Sequence, residues 1–225
     1  MESIEVRNVQ KKYRRKTVLR DVTFSAGPGE CIGILGGNGS GKSTLLQTLA
    51  GVLRPDGGSF TLGGADLFRD DKRRAAAVGY VPQGTPLLRE LTAMDHLRLW
   101  YRPEALRRGL NGGVLEMLGV TGFLKTPVGK MSEGMKKRLS IGCALASNPR
   151  VLLLDEPSAA LDLVCKANIL DYFCMYRNRG GILLIATHDP QELELCTGYR
   201  LLRDGVTEPY EYRGDLRRLS EDMKS

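Results

Sequence analysis

Eight consecutive residues, Gly36-Gly37-Asn38-Gly39-Ser40-Gly41-Lys42-Ser43, follow the pattern Gly-x4-Gly-Lys-Ser/Thr, in which each residue type has a use against phosphate. Glycines let backbone N–H groups wrap an anion without Cβ clashes. A helix starting near Ser43 would turn its positive end toward the same anion. Lys42 is expected to reach the β- and γ-phosphates, the Ser43 hydroxyl to ligate Mg²⁺, and Thr44 to add a phosphate hydrogen bond. Such a loop by itself serves ATPases, GTPases and small-molecule kinases alike. A second feature narrows the choice: the apolar run Val151-Leu-Leu-Leu ends in Asp155 and Glu156. One carboxylate to hold Mg²⁺ through water and one to orient and deprotonate an attacking water imply hydrolysis. The plainer alternative is that both acids cap the following helix. The sequence contains no Asn-Lys-x-Asp guanine-reading motif, which counts against a GTPase.

These residues need a scaffold, and the chain supplies its pieces in order. Ile4 to Tyr13 and Val18 to Phe24 alternate apolar and charged residues and predict strands of a partly exposed antiparallel sheet, closed by Gly27-Pro28-Gly29. Cys31 to Leu35 predicts a strand entering the glycine-rich loop, and Ser43 to Ala50 a helix ended by Gly51. Ser59 to Leu62 and Ala77 to Val81 read as further strands. From Thr92 to about Ala146 leucines recur at helical spacing (Leu97, Leu99, Leu106, Leu115, Leu118), which predicts a helical lobe inserted into the sheet domain. Val151 to Asp155 and Ile182 to Ala186 are apolar without alternation, as strands covered on both faces are, with a helix predicted between them over Leu161 to Arg177. The expected fold is α/β: a P-loop core with a mainly parallel sheet over 1–83 and 147–225, carrying an N-terminal antiparallel subdomain, and a helical subdomain over about 84–146. The tail after Gly205 is polar and predicts nothing definite.

Composition bounds the setting. A chain of 225 residues with 42% hydrophobic content can bury a sizeable core. Its apolar runs are far shorter than the roughly 20 residues that cross a bilayer, so direct membrane insertion is not expected and any membrane partner is a separate chain. The opening Met-Glu-Ser-Ile-Glu-Val has no secretory character, and a cytoplasmic location is expected. Cys31, Cys143, Cys165, Cys174 and Cys196 are odd in number and widely spaced, which suits reduced and mostly buried thiols. The net charge of +7 is spread in short groups such as Lys11-Lys12 and Lys136-Lys137-Arg138, read as solvated surface and not as a nucleic-acid stripe.

With these motifs in this order, the sequence resembles the ABC ATPase family over nearly its whole length. The resemblance implies further roles. Tyr13 stands where the family stacks an aromatic residue on adenine, and Gln83, in Tyr-Val-Pro-Gln, where a glutamine senses Mg²⁺ and the nucleophilic water while linking the two lobes. Taken singly, each would be an ordinary strand or loop residue. Ser132-Glu-Gly-Met occupies the place of the signature Leu-Ser-Gly-Gly-Gln: Ser132 and Gly134, which would face the γ-phosphate, are present, whereas Met131, Glu133 and Met135 replace the usual residues. That variant is similar to the signature of exporter ATPases with separate permeases. A carboxylate at Glu133 would slow hydrolysis if it pointed inward. Ser158-Ala-Ala-Leu-Asp162 follows the family's D-loop, and His188, in Ala-Thr-His-Asp, its switch histidine; His96 reads as a surface or packing residue.

The resemblance also implies a dimer. Ser132 heads a helix too distant to serve its own P-loop and would cap ATP held by a second copy, so that two ATP molecules lie between two P-loops and two signatures. ATP binding would close the pair, hydrolysis would release it, and the motion would pass to transmembrane permease subunits from the cytoplasmic face of the membrane. Two other classes compete: a soluble ABC protein acting on nucleic acid or ribosomes, disfavoured by the lack of coiled-coil insertions or a second cassette, and a non-hydrolysing subunit, disfavoured by intact Lys42, Asp155, Glu156 and His188.

Overall fold

The computed structural model describes residues 2–14 and 16–223. Strands β1 (Ile4–Tyr13) and β2 (Lys16–Ala26) form an antiparallel hairpin, and their alternation buries Ile4, Val6, Val9, Leu19 and Val22 while leaving Arg7, Lys12, Arg20 and Asp21 exposed. Next, β3 (Cys31–Leu35) runs through the glycine-rich loop into α1 (Lys42–Ala50). Gly51 stops α1 at φ 80°, in the left-handed region that glycine enters freely. Then come β4 (Gly57–Leu62), β5 (Ala65–Asp66), α2 (Asp71–Ala77) and β6 (Val78–Val81). The expected strand at Ala77 to Val81 therefore starts one residue later. Ala77 closes α2, a short helix that the periodicity did not reveal and that is capped by Asp70 through the Arg73 N–H.

The helical region holds α3 (Ala93–Trp100), α4 (Pro103–Leu110), α5 (Val114–Met117) and α6 (Glu133–Ala144). Thr92 and Asp95 start α3 with reciprocal side-chain caps. Of the leucines whose spacing predicted the helical lobe, Leu97, Leu106, Leu115 and Leu118 are buried, whereas Leu99 is 62% exposed, because two residues on from Leu97 a helix faces the other way. Beyond it lie β7 (Val151–Asp155), α7 (Leu163–Asn178), β8 (Ile182–Ala186), α8 (Pro190–Leu195), β9 (Gly198–Arg203), β10 (Val206–Tyr210) and α9 (Leu216–Asp222). Up to Met223 the tail that predicted nothing definite is thus ordered: β10 pairs with β9 and meets β2 at Val206–Asp21, joining the antiparallel and parallel parts of the sheet. The Tyr210 hydroxyl donates to Asp222 at 2.7 Å and holds α9 down.

The ten strands of the described residues make one sheet, in the order β5-β4-β1-β2-β10-β9-β3-β8-β7-β6, with β9, β3, β8, β7 and β6 mutually parallel. The unalternating strands are apolar because both faces are covered. Val151 and Leu153 pack in one cluster with Leu45, Leu46 and Leu49 of α1. Leu152 and Leu154 pack in the other with Leu97 of α3, Leu139 of α6 and Phe173 of α7. Each such side chain contributes about 1.5–3 kcal/mol of burial, and together they fix the carboxyl ends of the parallel strands. Among the described residues, no helix is long and apolar enough to cross a membrane.

Candidate active site

In a parallel α/β sheet ligands sit beyond the carboxyl ends of the strands, and four neighbouring strands end here in residues with chemistry. β3 leads into Gly36–Gly41, β6 into Pro82-Gln83, β7 ends in Asp155 before Glu156, and β8 leads into Thr187-His188.

The loop after β3 is shaped by close approach. Gly36 adopts φ 151°, and a Cβ there would lie 2.6 Å from the Leu202 carbonyl oxygen and from Ser40 Oγ; at Gly41, φ 110°, it would lie 3.0 Å from Val18 of β2. That last contact seats the β1–β2 hairpin against the loop. The helix α1 starts on Gly41 with no side-chain cap, and Ser40 Oγ is buried with no hydrogen-bond partner among the described residues. A cradle of backbone amides with an unpaired hydroxyl suits an anion with several acceptor oxygens. Lys42 folds back over it, Nζ donating to the carbonyls of Gly36 at 2.6 Å and Gly37 at 3.1 Å. Burial lowers the lysine pKa, and the charges of Asp155 and Glu156 oppose that.

Asp155 is buried. Desolvation pushes its pKa up, the Ser43 hydroxyl beside it pulls it down, and Glu156, Lys137 and Lys42 add smaller charge effects. A hydroxyl beside one carboxylate is a hard-oxygen pair of the kind Mg²⁺ accepts when phosphate oxygens and water complete its shell. Among the described residues no group of three or more His, Cys, Asp or Glu side chains is placed to hold a metal ion. Glu156 stands in a left-handed conformation, φ 48°, held by its N–H donating to the Ala186 carbonyl at 2.9 Å. Such backbone strain costs about 1–3 kcal/mol and gathers at functional sites. Gln83 Nε2 donates to Glu156 Oε2 at 2.9 Å, so residues 73 positions apart meet where the sequence only suggested it. His188 is exposed; desolvation and the Lys42 charge lower its pKa, while Glu156 raises it.

Lys42, Ser43, Asp155, Glu156 and Gln83 thus form one cluster. Tyr13 lies at the 42% exposed end of β1, with Lys11 Nζ 5.6 Å from its ring centroid. Ser132 and Gly134 lie elsewhere. Ser132 caps α6 by accepting the Met135 N–H at 3.2 Å, and a Cβ on Gly134 would sit 3.1 Å from the Ala160 carbonyl oxygen, next to Asp162, which caps α7 through the Cys165 N–H. No hydrogen bond among the described residues joins Ser132 or Gly134 to residues 36–44 of the same chain. Glu133 pairs with Lys136 at 2.6 Å along its own helix, its side chain 66% exposed. His96 is a packing residue, buried and accepting the Leu88 N–H at 3.1 Å. The five cysteines are free, Cys31 and Cys165 buried and the others half-buried.

Two residues escaped the sequence reading. Lys137, read as part of a solvated basic group, is buried and donates to the carbonyls of Pro82 at 2.9 Å and Gln83 at 3.0 Å. Its helical offset of four from buried Ile141 was the available signal. Glu192, on α8, is 1% exposed and accepts the Ser158 N–H at 2.9 Å; nothing in its spacing marked it.

Comparison with known proteins agrees with this architecture. The family model described as ABC transporter matches residues 19–159, more than half of the chain. The chain is similar to the linearmycin resistance ATP-binding protein of Bacillus subtilis strain 168, 32% identical over 90% of this chain and 67% of that protein. It is also similar to the Nod factor export ATP-binding protein I of Burkholderia orbicola strain AU 1054, 35% identical over 90% and 68%. Among solved structures, the ATP-binding subunit of an ABC transporter superposes with a TM-score of 0.87 at 26% identity, covering 99% of both chains. A dimeric ATP-binding cassette in a post-hydrolysis state, bound to ADP and Pi, superposes with a TM-score of 0.83 at 27% identity, over 94% of this chain and all of that one. By family match, by relatives and by fold, the chain belongs to the ATP-binding proteins of ABC transporters.

Proposed function

We propose that this chain binds and hydrolyses ATP as the motor subunit of an exporter, working as a pair of copies docked on separate permease subunits at the cytoplasmic face of a membrane. The observation that carries the reading is the Gln83–Glu156 hydrogen bond, which sets a carboxylate beside the Lys42, Ser43 and Asp155 cluster. Tyr13 stacks on adenine. Amides of Gly36, Gly37, Asn38, Gly39, Ser40 and Gly41 wrap the phosphates, Lys42 leaves its carbonyl partners for the β- and γ-oxygens, and Thr44 adds a hydroxyl. Ser43 and Asp155, with Gln83, would hold Mg²⁺, which neutralises phosphate charge when bound. Glu156 takes the proton of the attacking water, positioned by Gln83, and His188 contacts the γ-phosphate. Ser132, Gly134 and Asp162 face the nucleotide of the second copy, because they start helices away from their own cluster. Export is supported by the relatives named for linearmycin resistance and Nod factor export.

The test is Glu156→Gln. Glutamine keeps an acceptor for Gln83 but cannot take a proton, so kcat is expected to fall about 10²- to 10⁴-fold, with ATP binding kept and an ATP-dependent dimer accumulating on size-exclusion chromatography. Hydrolysis at the wild-type rate removes Glu156 as the base.

A further inference from the structure

We propose that Lys137 is a positioning residue through which the helix headed by Ser132 sets Gln83 against Glu156, so that a nucleotide held by the neighbouring copy regulates hydrolysis in this one. The proposal rests on the ATPase reading above and deepens it. A lysine with 3% of its surface exposed is rare, since an ammonium leaves water at a cost of several kcal/mol unless it is bonded. Here Nζ meets two backbone carbonyls, those of Pro82 and Gln83, in the segment after β6. Burial lowers its pKa, and the carboxylates of Asp155, Glu156 and Glu192 oppose that. Its neighbour Lys136 carries the surface role, paired with Glu133.

The geometry makes a continuous line. Ser132 caps the start of α6, and Lys137 lies five residues further on, roughly 7.5 Å at 1.5 Å per residue. From Lys137 the line passes by hydrogen bonds to the Gln83 backbone, and from the Gln83 side chain to Glu156 Oε2. A helix moves as a rigid piece, so a shift at its Ser132 end displaces Nζ and with it the two carbonyls. Gln83 Nε2 then meets or leaves Glu156. On the ATPase reading, this line ties the group that would face the second copy's nucleotide to the base that would act on its own.

The experiment measures ATPase rates, ATP affinity and ATP-dependent dimerisation for Lys137→Met, which keeps length but loses all donors, and for Lys137→Arg, which keeps charge and donors. Misplacing a catalytic group by about 1 Å can cost on the order of 100-fold; Lys137→Met is expected to lose at least about tenfold in kcat on that basis, while KM and monomer affinity for ATP stay within about twofold. The dimer still forms in the Glu156→Gln background, and Lys137→Arg recovers most of the rate. Should Lys137→Met fail to fold, Lys137→Gln, which is uncharged and keeps two N–H donors on a shorter side chain, is measured in the same way. Unchanged kcat in a hydrolysing variant overturns the link alone, as does a parallel fall of kcat, ATP affinity and Tm that Lys137→Arg does not relieve. A wild type that turns over no ATP overturns the ATPase reading and the link with it.

Discussion

Replacing Glu192 tests how the loop after β7 is held to helix α8. The Glu192 carboxyl accepts the Ser158 N–H at 2.9 Å, and both residues are buried, at 1% and 6% exposure. Glu192→Ala strands a buried donor, which costs about 1–3 kcal/mol, and leaves a small void. Relief of the buried carboxyl offsets part of this, for a net loss of about 2 kcal/mol, or about 4–8 °C in Tm for a chain of this size. Glu192→Gln keeps the acceptor and is expected within about 1 kcal/mol of wild type. A pH series sharpens the comparison. Desolvation raises the Glu192 pKa above its ordinary 4.5, Asp189 pushes the same way, and the hydroxyls of Ser158 and Thr187 pull against them. Because the folded-state pKa is the higher one, the folded chain holds this proton more tightly. The stability so gained is complete below the unfolded value and is lost as pH rises through the raised value. Glutamine does not titrate, so the stability of Glu192→Gln relative to wild type should climb as pH rises above about 4.3, the reference for an unfolded Glu. Urea unfolding of the three proteins at a series of pH values reads this directly. A Gln-to-wild-type difference flat across the series, or an alanine variant as stable as the glutamine variant, refutes the reasoning.

Two further outcomes are expected. Lys42→Ala removes a charged donor from the phosphate cradle, and at about 1.5–3 kcal/mol for such a bond ATP should bind about 10- to 150-fold more weakly by calorimetry; normal affinity would contradict the loop assignment. Gly36→Ala forces a Cβ to 2.6 Å from the Leu202 carbonyl oxygen at φ 151°, so the variant should lose more than about 1 kcal/mol of stability together with nucleotide binding, and an unaffected melting curve would show that the loop can relax.

The phosphate loop, the paired acids and the unalternating strands were legible in the sequence because their signals are local. Gly36 to Ser43 is contiguous, Asp155-Glu156 follows directly on its strand, and a strand buried on both faces writes itself as an apolar run. The two helices flanking these motifs were placed to within a residue or two, α1 starting at Lys42 and α7 at Leu163, the first because it follows directly on the glycine-rich loop and the second because Asp162 caps it. Only the tertiary structure decided what depends on distant partners. The segment after Gly205 looked formless because β10 gains order from pairing with β9 and β2, not from its own pattern. Lys137 and Glu192 look like surface residues in a one-dimensional reading, since charge predicts exposure. Their burial is permitted by the carbonyls of Pro82 and Gln83 and by the Ser158 N–H, groups that lie 34 to 55 residues away along the chain and that only the folded sheet brings within reach.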